Sequence, residues 1–587
     1  MADLDSSPKS IQSLYAWYSE GQLWVNRRYQ RKLVWTLEEK QKLTESVLKR
    51  YPIPAILLAE REQGGYEVID GLQRLHTLMS FIETSFPGSD GRYFNVSEYP
   101  TANTRSAEGV FHVVGTDEDR LSPREVGTYL DYSMAISVMR NATDEEIDEV
   151  FSRINTYGHR LSDQERRQAG VQNQFSRLVR SLSSDIRGDV SDDILSLVDM
   201  PQVSIDLPMT RHGYSVAAGE VFWVNEGILR STDLRDSMDE QCIADVAASV
   251  ITGSLIARSK DALDEVYRDG SEAGRALESA LAGYGSDKFT AEFKYIVDQV
   301  RLICTENGVS IKLRNLLFAR SSTNPYPAVF AVLAIALHEL FVQDGLQIAN
   351  FSAVRESLRN LDRRIDTSRG STSPQERRQN INTIKGLIAP HLVDAQAREL
   401  YDRQSTVDID DTIRRSEVEA PHFELKQGLL RLDDTRGMDT AVLPAIIETI
   451  CAIANNGTGR TGCLILGVAD KPQDASRIEQ LDKITPRMVG QRAVVGVRRE
   501  AVKLGETPEA YFQRLRDAIG NSQLSEPLRS AVLAGLSFND YFGLGVILIN
   551  IPAQAEVSSI GERVYVRAGD QTKEVAGIEL INVARRF

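Results

Sequence analysis

Four cysteines in 587 residues, with no C-x-x-C pair among them, exclude a zinc ribbon and a disulfide framework. The seven histidines are scattered and suggest no metal cluster. No apolar run approaches the roughly 20 residues of a membrane span; the longest, Ala328 to Leu337, is about half that. The opening Met1-Ala-Asp-Leu-Asp-Ser-Ser-Pro lacks the basic-then-apolar order of a secretory signal. The expectation is a reduced, cytoplasmic protein without a membrane partner. Positive charge is also in deficit. A net charge of −15 argues against a chain coated in basic surface for nucleic acid. A local basic groove stays open, because salt limits electrostatic reach to about 8 Å. What is present is ordinary for a globular protein: 42% hydrophobic and 26% charged residues, over a length that supports three or four cores.

The stretch Tyr66 to Met79 organises the N-terminal part. Ala55 to Ala59 and Tyr66 to Ile69 read as two strands turned by Gly64-Gly65. After Asp70-Gly71 the period changes, with Leu72, Leu75, Leu78, Met79 and Phe81 at helical spacing. A helix start presents unpaired N–H groups and partial positive charge, an anion site. Arg74 in its first turn can grip a phosphate bidentately, and Asp70 offers the hard oxygen that magnesium needs. The alternative is a plain corner in which Arg74 makes a structural salt bridge. Upstream, Thr36 and Glu39 form a capping box for a helix that ends at Tyr51-Pro-Ile-Pro54. The cations Arg27, Arg28, Arg31 and Lys32 precede it, and the usual fate of such a run is a solvated surface. Further on, Thr143 to Glu146 caps a helix with Ile147, Val150, Phe151 and Ile154 on one face. It ends at Asn155-Thr-Tyr-Gly158, and Ser162 to Glu165 opens the next helix.

Five motifs recur here in order: Tyr29-Gln-Arg31 with Trp35, Pro52-Ile-Pro54, Ile69-Asp-Gly-Leu-Gln-Arg-Leu75, Phe151-x-x-Ile-Asn155 and Leu161-Ser-Asp-Gln-Glu165. Together they resemble, over residues 10–190, the DUF262 or GmrS-like N-terminal domain, a ParB/sulfiredoxin-like fold with a D-G-Q-Q-R motif. The resemblance implies nucleotide binding and hydrolysis in bacterial anti-phage or restriction proteins. It implies Arg31, Asp70, Gly71, Gln73, Arg74 and Asn155 as nucleotide-site residues, with Asp70, Gln73 and Arg74 catalytic and Asp70 on the metal. Leu72 stands where the family has its first Gln, which leaves phosphate binding intact and bears against hydrolysis.

The middle, about 201–405, reads as a helical connector or sensor whose most apolar helix spans Ala328 to Phe341. Arg355, Arg359, Arg363, Arg364, Arg369, Arg377 and Arg378 concentrate positive charge there, either as a nucleic-acid footprint or as a solvated helix paired with Glu356, Asp362 and Asp366.

In the last part, 406–587, His422-Phe-Glu-Leu-Lys426 alternates like a strand and puts Glu424 and Lys426 on one face. A helix from Leu443 to Ala454 leads to the apolar strand Cys463 to Asp470. Glu419, Glu424 and Asp470 with Lys426 are candidates for a divalent-metal site that activates water on a phosphodiester; ordinary salt bridges in a mixed sheet are the alternative. Glu419, Phe423-Glu-Leu-Lys426, Ala452-Ile-Ala-Asn455, Gly467-Val468, Asp470 and Val564-Tyr-Val-Arg-Ala-Gly569 resemble the Schlafen AlbA_2 family, with a helical insertion at about 473–535. That resemblance implies nucleic-acid binding, and in some members cleavage by the two Glu and a later Asp. The combined expectation is an α+β multidomain defence protein with domains 1–200, 201–405 and 406–587. It would use GTP or ATP with Mg2+ and engage nucleic acid, DNA rather than RNA, as a homo-oligomer. The rival is a non-catalytic sensor or regulator with nucleotide only as ligand.

Overall fold

The computed structural model describes residues 3–27, 32–61, 64–157, 162–168, 173–189, 194–200, 203–204, 216–268, 270–306, 309–366, 373–395, 405–416, 420–569 and 571–587. The chain forms two compact units, 1–304 with 311–396, and 305–310 with 397–587. Both are mixed α/β, and no helix among the described residues is long and apolar enough to cross a membrane.

The first unit holds a six-stranded sheet of β1 (Asp3–Ser10), β2 (Leu23–Asn26), β3 (Ile56–Glu60), β4 (Tyr66–Asp70), β5 (Ser133–Arg140) and β6 (Ile194–Ser196), in the order β1-β5-β3-β4-β2-β6. β3 and β4 pair antiparallel across the expected turn, where Gly64 and Gly65 both take positive φ. A Cβ on Gly65 would lie 2.5 Å from the Gln22 carbonyl oxygen, so only glycine fits. Alternation along β4 sends Val68 to one core and Ile69 to another. The larger core takes α1 (Ile11–Ser19), α2 (Leu37–Leu48) and α3 (Leu72–Ile82) through Leu14, Val47, Leu75 and Leu78. On the opposite face Phe151 and Ile147, from helix Asp144–Tyr157, pack on Ala59, Ile69 and Met139.

Helices from 174 to 388 complete the first unit, and a buried ionic network joins them to the N-terminal strands. Arg27, at the end of β2, reaches the Asp189 carboxylate at 3.3 Å and its carbonyl at 3.1 Å. Arg187 then bridges Asp189, at 2.9 Å, and Asp239, at 2.6 Å, with all three side chains 1% exposed or less. Charges this deep persist only as mutual partners. The expectation of a solvated surface is therefore corrected for Arg27 and Lys32, both of which are buried. Arg28 and Arg31 lie outside the described residues. Two arginines of the segment 355–378 also turn inward, Arg355 and Arg377. Arg355 donates to the Ile303 carbonyl at 2.7 Å, and Arg377 to Asp245 and the Ile256 carbonyl, both at 2.7 Å. Arg359 pairs with Glu356 and Arg378 with Glu339. Burial therefore withdraws Arg355 and Arg377 from the cluster's surface, while Arg359, Arg363 and Arg364 stay exposed; Arg369 lies outside the described residues.

The second unit centres on a four-stranded sheet ordered Phe423–Lys426, Gly462–Leu466, Val546–Ile551, Leu536–Asn539. The first two strands are parallel and the rest antiparallel. Helix Val442–Ala454 makes the crossover between the parallel pair and packs Ile446 and Ile450 on Leu464 and Ile547. Helix Thr406–Arg415 covers the other face with Ile409 and Ile413. The expected single strand 463–470 is broken at Gly467, whose φ is 104°. A Cβ there would meet the Gly496 Cα at 3.1 Å. The expected helical insertion is helical only in part. Arg487–Val489 and Arg492–Val494 form a hairpin that pairs with Val468–Ala469.

Candidate nucleotide site and the C-terminal carboxylates

At the corner after β4, Gly71 sits in the left-handed region, φ 94°, and caps α3 without a side chain. A Cβ on it would be 2.9 Å from the Ile56 Cγ1. Glycine lets the strand turn directly into a helix and leaves the first-turn N–H groups without a side-chain cap. Arg74 Nη2 pairs with Asp70 Oδ2 at 2.8 Å, with Arg74 13% and Asp70 42% exposed. The Arg74 Nη1 is buried and has no hydrogen-bond partner. A guanidinium with one nitrogen engaged and the other orphaned is suited to an incoming oxyanion. Below it, His76 is buried against Ser80 Oγ, 3.0 Å from Nδ1. Burial, with Lys40 nearby, pushes its pKa down to about 3, so it is neutral.

Gln73 is committed to the backbone of segment 32–35. Its Oε1 accepts from the N–H groups of Val34, at 3.2 Å, and Trp35, at 3.3 Å; its Nε2 donates to the Lys32 carbonyl at 2.5 Å. Leu72, in the position of the family's first Gln, is 2% exposed and belongs to the core. Of the other expected residues, Arg31 lies outside the described residues. Asn155 is placed in helix Asp144–Tyr157, and its side chain lies outside the described set.

In the second unit Glu424 and Lys426 share a face of their strand, Nζ 2.6 Å from Oε1. Glu424 Oε2 also meets Arg567 at 3.0 Å, a guanidinium 2% exposed. Asp470 pairs with Arg492 instead. Glu419 lies outside the described residues, and among those described no three His, Cys, Asp or Glu side chains converge on a metal position. With both Glu424 oxygens taken by cations, the described donors do not fit a divalent ion. Asn455 acts as a clamp. Its Nδ2 donates to the Ser558 and Tyr565 carbonyls at 2.9 and 2.8 Å, and its Oδ1 accepts from Ser558 N–H at 2.8 Å.

Sequence reasoning missed Arg567 and Lys32. Arg567 follows Tyr565 and Val566 in a run of three buried strand residues, a signal for a buried cation in need of a carboxylate. Lys32 carries no comparable signal, since its partners are a distant carbonyl and hydroxyl. No curated protein and no solved structure matches this chain. Residues 11–171, which contain the whole Asp70–Arg74 corner and stop short of the second unit, match the model of the GmrSD restriction endonuclease, N-terminal domain.

Proposed function

We propose that this chain is a restriction-type defence protein that binds and hydrolyses a nucleoside triphosphate, GTP or ATP, at the Asp70–Arg74 corner. The observation that carries the reading is the orphaned, buried Arg74 Nη1 at an uncapped helix start, inside a segment matching the GmrSD N-terminal domain. Arg74 and the first-turn N–H groups of α3 would take the phosphate oxygens. Asp70, exposed on the solvent side, would hold Mg2+, which neutralises phosphate charge and draws electrons from the bond to be broken. Nucleic acid, DNA rather than RNA, is the partner that a restriction domain suggests; the second unit, by its AlbA_2 resemblance, would engage it. The core position of Leu72 supports a second reading, in which nucleotide is only a ligand.

The test is phosphate release from ATP and GTP with Mg2+, wild type beside Arg74→Ala. Loss of a guanidinium that meets the transferring phosphate should lower turnover at least tenfold. Background-level release by both proteins, with ATP or GTP still bound, would leave the ligand-only reading.

A further inference from the structure

Lys32 is 6% exposed, yet among the described residues its ammonium makes no ion pair with a carboxylate. It donates instead to the Leu234 carbonyl at 2.6 Å and to Ser237 Oγ at 2.7 Å. Both acceptors lie at the corner between helices Ser231–Arg235 and Met238–Ile251, where Ser237 takes a left-handed conformation, φ 56°. The negative field of Asp239, itself fixed by Arg187 and Ser183, lies behind it. The same corner sends Arg235 to Glu39 at 2.5 Å, the residue that closes the capping box of α2. From the other side, the Gln73 carboxamide holds the Lys32 carbonyl and the Val34 and Trp35 amides. Segment 32–36 is thus gripped between the first turn of α3 and a corner of the helical body some 200 residues away in sequence. Both the oxygen and the nitrogen of Gln73 are thus engaged by backbone.

From these contacts we infer that Gln73 and Lys32 are positioning residues. Together they brace the Arg74-bearing turn of α3 against the Leu234–Ser237 corner, so the helical body sets the geometry with which the site receives phosphate. The inference rests on the nucleotide reading above, and misplacement of a binding group by about 1 Å can cost a hundredfold. It assigns Gln73 no chemistry, and makes Lys32 and Ser237 part of the site's support.

The experiment measures two things on the full chain: affinity for a non-hydrolysable ATP or GTP analogue with Mg2+, and hydrogen exchange of the segments holding Val34, Trp35 and 234–245. Gln73→Met and Lys32→Met should weaken analogue binding at least tenfold and speed exchange in both segments. Ser237→Ala, which removes one of two acceptors and is the smaller change, should do so severalfold and serves if Lys32→Met fails to fold. Gln73→Glu keeps the acceptor toward Val34 and Trp35 but opposes an oxygen to the Lys32 carbonyl, so it should fall between wild type and Gln73→Met. A group that touched phosphate would lose affinity without loosening 234–245. Wild-type affinity in Gln73→Met and Ser237→Ala would overturn the inference and leave the nucleotide reading standing. No analogue binding by the wild type would instead remove that reading, and the positioning role with it.

Discussion

Two carboxylate–guanidinium pairs in this chain differ in what each leaves over. Asp70 and Arg74 are joined through one nitrogen and one oxygen, with a second guanidinium nitrogen orphaned and the carboxylate open to solvent. Glu424 is enclosed, one oxygen on Lys426 and the other on the buried Arg567. Each guanidinium keeps one buried nitrogen without a partner, so the contrast is in the carboxylates: Asp70 at the glycine-opened helix start engages one oxygen and is 42% exposed, whereas Glu424 has both oxygens on cations and holds strands together. The sequences look equally suggestive, an acid beside a base in a strand motif; the difference lies in how many partners the fold supplies.

Acid should separate the two regions most. His76, under the Asp70–Arg74 corner, is held neutral by burial with a pKa near 3 against an ordinary 6.5. A depressed folded pKa means the unfolded chain takes up the proton first, so stability is full above pH 6.5 and drains as pH falls toward 3. The loss should approach about 4 kcal/mol at the low end. The second unit contains one histidine, His422, which is half-buried, so that unit lacks a fully buried imidazole of this kind. Unit-resolved hydrogen exchange between pH 7 and 4 should show the first unit opening earlier; the reverse order would break the contrast. The next effect is Glu424→Ala, which strands the Arg567 charge and should cost on the order of 3 kcal/mol in denaturant unfolding of the second unit. A change below about 1 kcal/mol would mean that water already shares the pair. Such instability would also counterfeit a catalytic defect, so Glu424→Gln is the variant for any cleavage assay.

Much of the corner was legible in advance because it is local. The two strands, the Gly-Gly turn, the switch of period at Gly71 and the capping box at Thr36 all depend on neighbours in sequence, and each stands where the pattern put it. What stayed hidden depends on partners far away. Arg27, Lys32 and Arg377 read as solvent-facing charge, yet find Asp189, Ser237 and Asp245 across separations of more than a hundred residues. Gln73 read as a site amide because its motif is shared; that its carboxamide is filled by the 32–35 backbone is visible only once that segment is placed. The hairpin at 487–494 was missed because its strands are three residues each, too short to show alternation.

The smallest expected effect on stability belongs to Asp70, and it tests the open pair most directly. Asp70 is 42% exposed and the asparagine oxygen can still accept from Arg74, so loss of this i,i+4 charge pair should cost about 1 kcal/mol and Asp70→Asn should melt within a few degrees of wild type. Its effect on binding should instead divide by metal. Without Mg2+, removal of the negative charge beside Arg74 lifts its competition with phosphate, so affinity for ATP or GTP should hold or rise. With Mg2+, the increment that the wild type gains should vanish, because the hard oxygen is gone. Calorimetric titrations with and without the ion provide both halves. A mutant that keeps the full magnesium increment would place the ion elsewhere and reduce Asp70 to a tether for Arg74.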